Sequence, residues 1–159
     1  MALVKNTNSY VDLTEADAYF EDRLDVAEWD AMTDSDKEKS LVTATTVLDN
    51  MSWTGYAVSD SQELAFPRYG DYFDPRVGCD VILEDDVVPA RILKATYELA
   101  YHLLLNDGLL DNSGGVSKIK VGPIELVDIK TPPSLPSLVR QFIKPLLKNK
   151  GAVHWWRAN

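Results

Sequence analysis

The sequence predicts a mainly α fold: a small helical bundle carrying one long irregular loop and one short β-strand or hairpin excursion. Three observations predict it. Apolar residues recur at steps of three and four in several separate segments, the mark of helices with one buried face. That periodicity disappears between residues 52 and 88, where Gly55, Pro67, Gly70, Pro75 and Gly78 break up the chain. The period falls to two only over SKIKVGPIELVDI, residues 117–129. With 159 residues and a 45% hydrophobic fraction, the chain suits one domain with one core, over residues 1–150, followed by a tail over 151–159.

The first helix is expected in LTEADAYFEDR, with Thr14 as N-cap, Asp17 in the first turn, and Tyr19 and Phe20 facing inward. After Trp29, Thr33 is placed to cap a longer helix over about residues 34–51. Leu41, Ala44, Thr45, Leu48 and Met51 form its buried stripe. The loop 52–88 follows. A domain this small seldom carries so long a connection without a functional or partner-ordered role, so the loop is expected to be irregular and to order on a partner.

The strongest helix runs from Pro89 to about Leu105. Proline fits the first helical position, where its missing N–H costs nothing, and Asn106-Asp107-Gly108 supplies the stop. After the β excursion, a last helix is expected from Ser134 to about Lys148, kinked at Pro145.

The net charge of −9 is unevenly spread. Residues 1–90 hold 20 acidic and 6 basic side chains (−14), whereas residues 91–159 hold 5 and 10 (+5). An acidic body repels a phosphate backbone, while duplex binders normally present basic patches. The basic C-terminal part suits an acidic partner or the acidic part of a neighbouring copy. Cys79 is the only cysteine, so no internal disulfide forms and no multi-thiolate zinc site is possible. No apolar run reaches the length needed to span a bilayer, and the N-terminus lacks a secretory pattern.

No catalytic constellation emerges. His102 and His154 are isolated, Cys79 has neither histidine near it in sequence and lies among acidic residues, and Glu84-Asp85-Asp86 lacks the spacing of a calcium loop. The expectation is a protein that is not an enzyme and needs no cofactor or metal. What stands out is aromatic material outside the helices: Trp53, Phe66, Tyr69, Tyr72 and Phe73 in the loop, and Trp155 and Trp156 in the tail. Arg140, Lys144 and Lys148 recur at steps of four and would form one basic stripe on the last helix. Aromatics beside arginine are enriched where proteins meet. A basic stripe with tryptophans also describes a surface on which single-stranded bases stack.

Trp53-Thr-Gly55, then Gln62-Glu-Leu64-Ala65-Phe66-Pro67-Arg68, Gly78, a Val88-Pro89 helix start and Glu98-Leu99-Ala100 follow one another in an order that resembles a tailed-bacteriophage family. That family is described as DnaT-like single-stranded DNA-binding protein, and its members also resemble head–tail connectors, the adaptors beneath the portal. Lys120-Val121-Gly122-Pro123-Ile124-Glu125 and a helix after Pro132-Pro133 extend the likeness over about residues 10–148.

The resemblance implies a structural virion protein in the neck between head and tail, present in host cytoplasm before assembly. It implies a ring of about twelve copies through heterologous contacts, bound to the portal protein above and to a tail or nozzle protein below. Viral DNA would cross the lumen without sequence-specific contacts, and no membrane is involved. Trp53, Phe66, Pro67 and Arg68 would anchor the loop to its own subunit or the next, with Pro67 holding the stretch extended and Arg68 pairing an acidic residue. Arg140, Lys144, Lys148, Trp155, Trp156 and Arg157 would dock on the portal or another partner. The alternatives from the same residues are a primosome-like single-strand DNA binder or another tail-completion protein.

Overall fold

The computed structural model describes residues 2–106, 108, 116–121, 124–129 and 135–148, with 116–121 and 124–129 described by their backbone. In chain order the elements are α1 (Leu13–Glu21), α2 (Ala27–Ala31), α3 (Asp34–Asp49), β1 (Tyr56–Ala57), β2 (Arg68–Tyr69), β3 (Asp71–Asp74), β4 (Cys79–Ile82), α4 (Ala90–Leu105), β5 (Val116–Val121), β6 (Ile124–Ile129) and α5 (Ser137–Ile143), with a 3-10 turn at Lys144–Leu146. The fold is mainly α. Three two-stranded antiparallel ladders, β1–β2, β3–β4 and β5–β6, interrupt it.

Helix α4 is the central post. It packs on α3 along one side and on α5 along another. Leu41, Ala44 and Leu48 of α3 meet Ile92, Ala95, Leu99, Ala100 and Leu103 of α4, and Val139, Ile143 and Leu146 close the far side, all buried. This is the stripe that the three-and-four spacing predicts. Thr33 caps α3 as expected, accepting from the Asp36 amide, and the helix ends at Asp49. Pro89 sits one position earlier than expected, as the N-cap of α4.

Helix α1 starts differently. Asp12, not Thr14, is its N-cap, and Asp12 and Glu15 form a reciprocal capping box. The acid three residues after the true cap is therefore Glu15. A short helix around Trp29, α2, is additional to the expected elements.

A polar cluster joins α1, α2, α3 and α4. Glu98 is buried on α4 and accepts from the Tyr19 hydroxyl at 2.7 Å and Arg23 Nη2 at 3.0 Å. Asp17 accepts from Trp29 Nε1 at 2.8 Å and Lys37 Nζ at 3.0 Å. A buried carboxylate is tolerable only when paired in this way. Burial, reinforced by Glu98, raises the Tyr19 hydroxyl well above its ordinary range. Burial likewise pushes Tyr97, stacked on Tyr19 at 4.7 Å, up to about 12. The Glu98-Leu99-Ala100 run thus serves the interior of the bundle.

Two expectations need correction. The loop 52–88 is not wholly irregular: it contains β1–β2 and β3–β4, so much of its backbone is satisfied within the subunit. The last helix is also shorter than 134–148. It runs from Ser137 to Ile143, passes into the 3-10 turn, and is extended at Leu147. Pro145 has no amide to continue the helical ladder, and the chain instead pairs with the loop. Lys148 N donates to Ser52 O at 2.9 Å and Thr54 N to Leu146 O at 2.9 Å.

Among the described residues no helix is long and apolar enough to cross a membrane.

Candidate functional site

The loop is built around two glycines in backbone contact. Gly55 (φ +69°) and Gly70 (φ +141°) face each other at the end of the β1–β2 ladder. A β-carbon on Gly55 would lie 2.0 Å from the Tyr69 carbonyl oxygen, and one on Gly70 would lie 2.9 Å from Gly55 Cα. No side chain fits in either gap.

Around this contact the signature side chains interlock. Trp53 is buried and its indole N–H donates to Leu48 O at 3.1 Å, fixing the loop to the end of α3. Phe66 is buried edge-on against Trp53, with centroids 5.1 Å apart, and against Tyr10 at 6.3 Å. The Phe66–Pro67 peptide is cis. Gln62 ties the turn together. It accepts from the amides of Val58 and Ser59, and donates to Leu64 O and Pro67 O.

Arg68 corrects a further expectation. Its guanidinium donates to three backbone carbonyls: Nε to Thr54 O at 2.8 Å, Nη2 to Gly55 O at 2.8 Å and Nη1 to Ala65 O at 3.1 Å. No carboxylate takes part among these contacts. The planar fork matches carbonyls converging from both sides of the loop, a geometry that a carboxylate partner would leave unsatisfied. Trp53, Phe66 and Arg68 are thus held within one subunit.

Residues outside the signature complete the frame. Asp49 Oδ1 accepts from the Tyr10 hydroxyl at 2.5 Å and from the Ala65 amide at 2.6 Å, joining the N-terminal segment, α3 and the loop. Burial, then the Asp49 carboxylate, raises the Tyr10 hydroxyl far above its ordinary value. Asp74 is only 1% exposed. It accepts from Arg76 Nη2 at 2.8 Å, the Arg76 amide at 2.9 Å and Arg91 Nη2 at 2.6 Å, tying β3 to the start of α4. Tyr10, Asp49 and Asp74 are individually unremarkable in sequence. Only the pairing of an acid with an arginine two residues on (Asp74, Arg76) hinted at one of these contacts.

Arg76 above all holds the Asp74 carboxyl well below the usual carboxylate range, with burial opposing and Arg91 assisting. An unfolded aspartate titrates near about 3.9. Asp74 therefore contributes stability that is complete above that value and is lost as pH falls through the depressed folded value. Asp74→Asn is expected to lower the urea midpoint at neutral pH and to flatten its decline below about pH 4. Parallel acid slopes for the two proteins would refute this role.

Beside this frame lies an open cleft of about 650 Å³ between β3 and the C-terminal segment. Tyr72, Phe73, Pro75, Lys144, Pro145 and Lys148 line it. Phe73 is 55% exposed, and Lys144 and Lys148 are exposed. Arg140 is exposed on α5 and donates to Leu135 O at 3.3 Å. Because α5 stops at Ile143, Arg140, Lys144 and Lys148 do not form the single helical stripe expected; two of the three meet at the cleft instead. Trp155, Trp156 and Arg157 lie outside the described residues.

Cys79 is exposed. His102 is on α4 beside Asn106, whose side-chain amide lies 3.3 Å from its Nδ1. Among the described residues no three His, Cys, Asp or Glu side chains are grouped to hold a metal ion.

No curated protein matches the chain, and neither does any solved structure. A family model does, over residues 2–158, which takes in every described element. On that match the chain belongs to the family described as "Putative DnaT-like ssDNA binding protein".

Proposed function

We propose that this chain is a non-enzymatic structural subunit of a tailed-phage neck, a head–tail connector that forms a ring beneath the portal. The ring would have about twelve copies, conduct viral DNA through its lumen and attach a tail or nozzle protein below. The observation that supports this reading best is the use made of the signature residues. Trp53 and Phe66 are buried and offer no free face to a base, and Arg68 spends its guanidinium on three carbonyls of the loop. The formal charge of −14 over residues 1–90 also suits a conduit past which DNA slides.

Mixing the purified protein with the portal of the same phage tests the proposal. Stacked rings in negative-stain images are the expected result, and the absence of any association would overturn it.

A second reading, single-stranded DNA binding, is favoured by the family's description and by Phe73 exposed near Lys144 and Lys148. It requires binding of an oligonucleotide below micromolar concentration that weakens steeply with salt. The connector reading expects no such binding by the free subunit.

A further inference from the structure

The turn after α1 has an unusual surface. Leu24 is 91% exposed, the highest exposure among the described large apolar side chains, and Glu21, Asp22 and Asp25 surround it in sequence. The turn is nevertheless held at both ends. The Arg23 amide donates to Phe20 O at 3.0 Å, and the Arg23 guanidinium is fixed by Glu98 and lies 4.9 Å from the Tyr101 ring centre. Asp25 adopts φ +62°, a conformation unfavourable for a residue with a side chain, and its carbonyl accepts from the Tyr101 hydroxyl at 2.8 Å. The subunit thus holds rigid a turn whose one large apolar side chain has no use within it. An apolar knob on an acidic collar is the outcome.

The cleft of Phe73, Pro75, Lys144 and Lys148 has the opposite character: apolar surface with two exposed lysines against one exposed carboxylate, Asp71. The two features sit toward opposite ends of α4. Arg91, in its first turn, holds Asp74 beside Phe73, whereas Tyr101 holds Asp25 beside Leu24. Ten residues of helix separate those contacts by about 15 Å. Knob and cleft therefore belong to different places on one subunit, and a contact between them joins two copies head to tail.

We propose that the cleft receives the Leu24 turn of a second copy of this chain. Leu24 would rest on Phe73 and Pro75, and Lys144 and Lys148 would face Asp22 and Asp25. Charge complementarity selects a copy over other occupants, since Glu21, Asp22 and Asp25 around Leu24 are opposite in sign to Lys144 and Lys148 at the cleft. Such a heterologous contact leaves a free knob at one end and a free cleft at the other, and closes only by completing a ring. The proposal deepens the connector reading by naming the intersubunit contact, and it rests on that reading only for the ring.

Two variants each disable one side: Leu24→Glu removes the knob, and Lys144→Glu with Lys148→Glu inverts the cleft. All three positions are exposed, so circular dichroism should show native folding for both. In sedimentation velocity at low salt, wild type is expected to associate with rising concentration, while each variant alone stays monomeric. Mixed together, the two variants retain one intact knob and one intact cleft and should form a 1:1 dimer that goes no further. Failure of the mixture to pair, or unchanged association of either variant, overturns the proposal. Wild type that stays monomeric at every concentration does so too.

An oligo(dT) arm separates the rival occupant. Oligonucleotide binding lost in the lysine variant, with Leu24→Glu leaving self-association intact, would assign the cleft to nucleic acid. Rings on the portal that tolerate Leu24→Glu would overturn this contact while leaving the connector reading standing. Pairing of the mixed variants without any portal association would do the reverse.

Discussion

Gly55→Ala is expected to destabilise the protein by about 3 kcal/mol or more, read as a fall in the urea midpoint. Two effects combine. The new methyl would sit 2.0 Å from the Tyr69 carbonyl oxygen, and the residue would remain at φ +69°. The obstructing atom is backbone, so relief requires moving β2, which breaks its pairing of Tyr56 with Tyr69 and displaces Arg68. Gly78→Ala is the control. Gly78 also has positive φ, +80°, but nothing lies within 4 Å of an added β-carbon. It should cost only the conformational strain, about 1 kcal/mol. Equal costs for the two would mean that the glycine contact does not hold the loop.

Arg68→Lys is the second large effect, a loss of about 2–3 kcal/mol despite conserved charge. The ammonium is compact and cannot span carbonyls of Thr54, Gly55 and Ala65 that a planar fork reaches at once. The variant should also lose near-ultraviolet circular dichroism from Trp53, because the loop that presses Phe66 on the indole loosens. A lysine variant as stable as wild type would return Arg68 to the surface, free to pair with an acid on a neighbour.

The helical part of this fold was legible because its cause is local and repetitive. Leu41, Ala44 and Leu48, or Ile92, Leu99 and Leu103, declare a buried face by spacing alone. The N-cap of α1 was less so, since Asp12 and Thr14 both have capping side chains and only the reciprocal bond with Glu15 separates them. Residues 52–88 were readable as a break but not as a structure. Their order comes from contacts between residues far apart in sequence, such as Asp49 with Ala65 and Asp74 with Arg91, and no periodicity records those. Arg68 illustrates the limit: charge suggests a carboxylate partner, whereas geometry provides three carbonyls. The cleft was similarly hidden. Lys144 and Lys148 were visible as basic residues, but Phe73 joins them only because Pro145 ends the helix and the chain turns back to Ser52.

That return has a mechanical consequence. The hydrogen bonds from Lys148 to Ser52 and from Thr54 to Leu146 connect the chain just ahead of the tail to the residues on either side of Trp53. Tension on the chain beyond Lys148 would load these bonds in shear and pass through the Trp53 indole to the end of α3. A pull on the tail would thus be carried by the interior of the bundle before α5 could peel away. Under such a load this short ladder would act as a mechanical fuse with a defined breaking point.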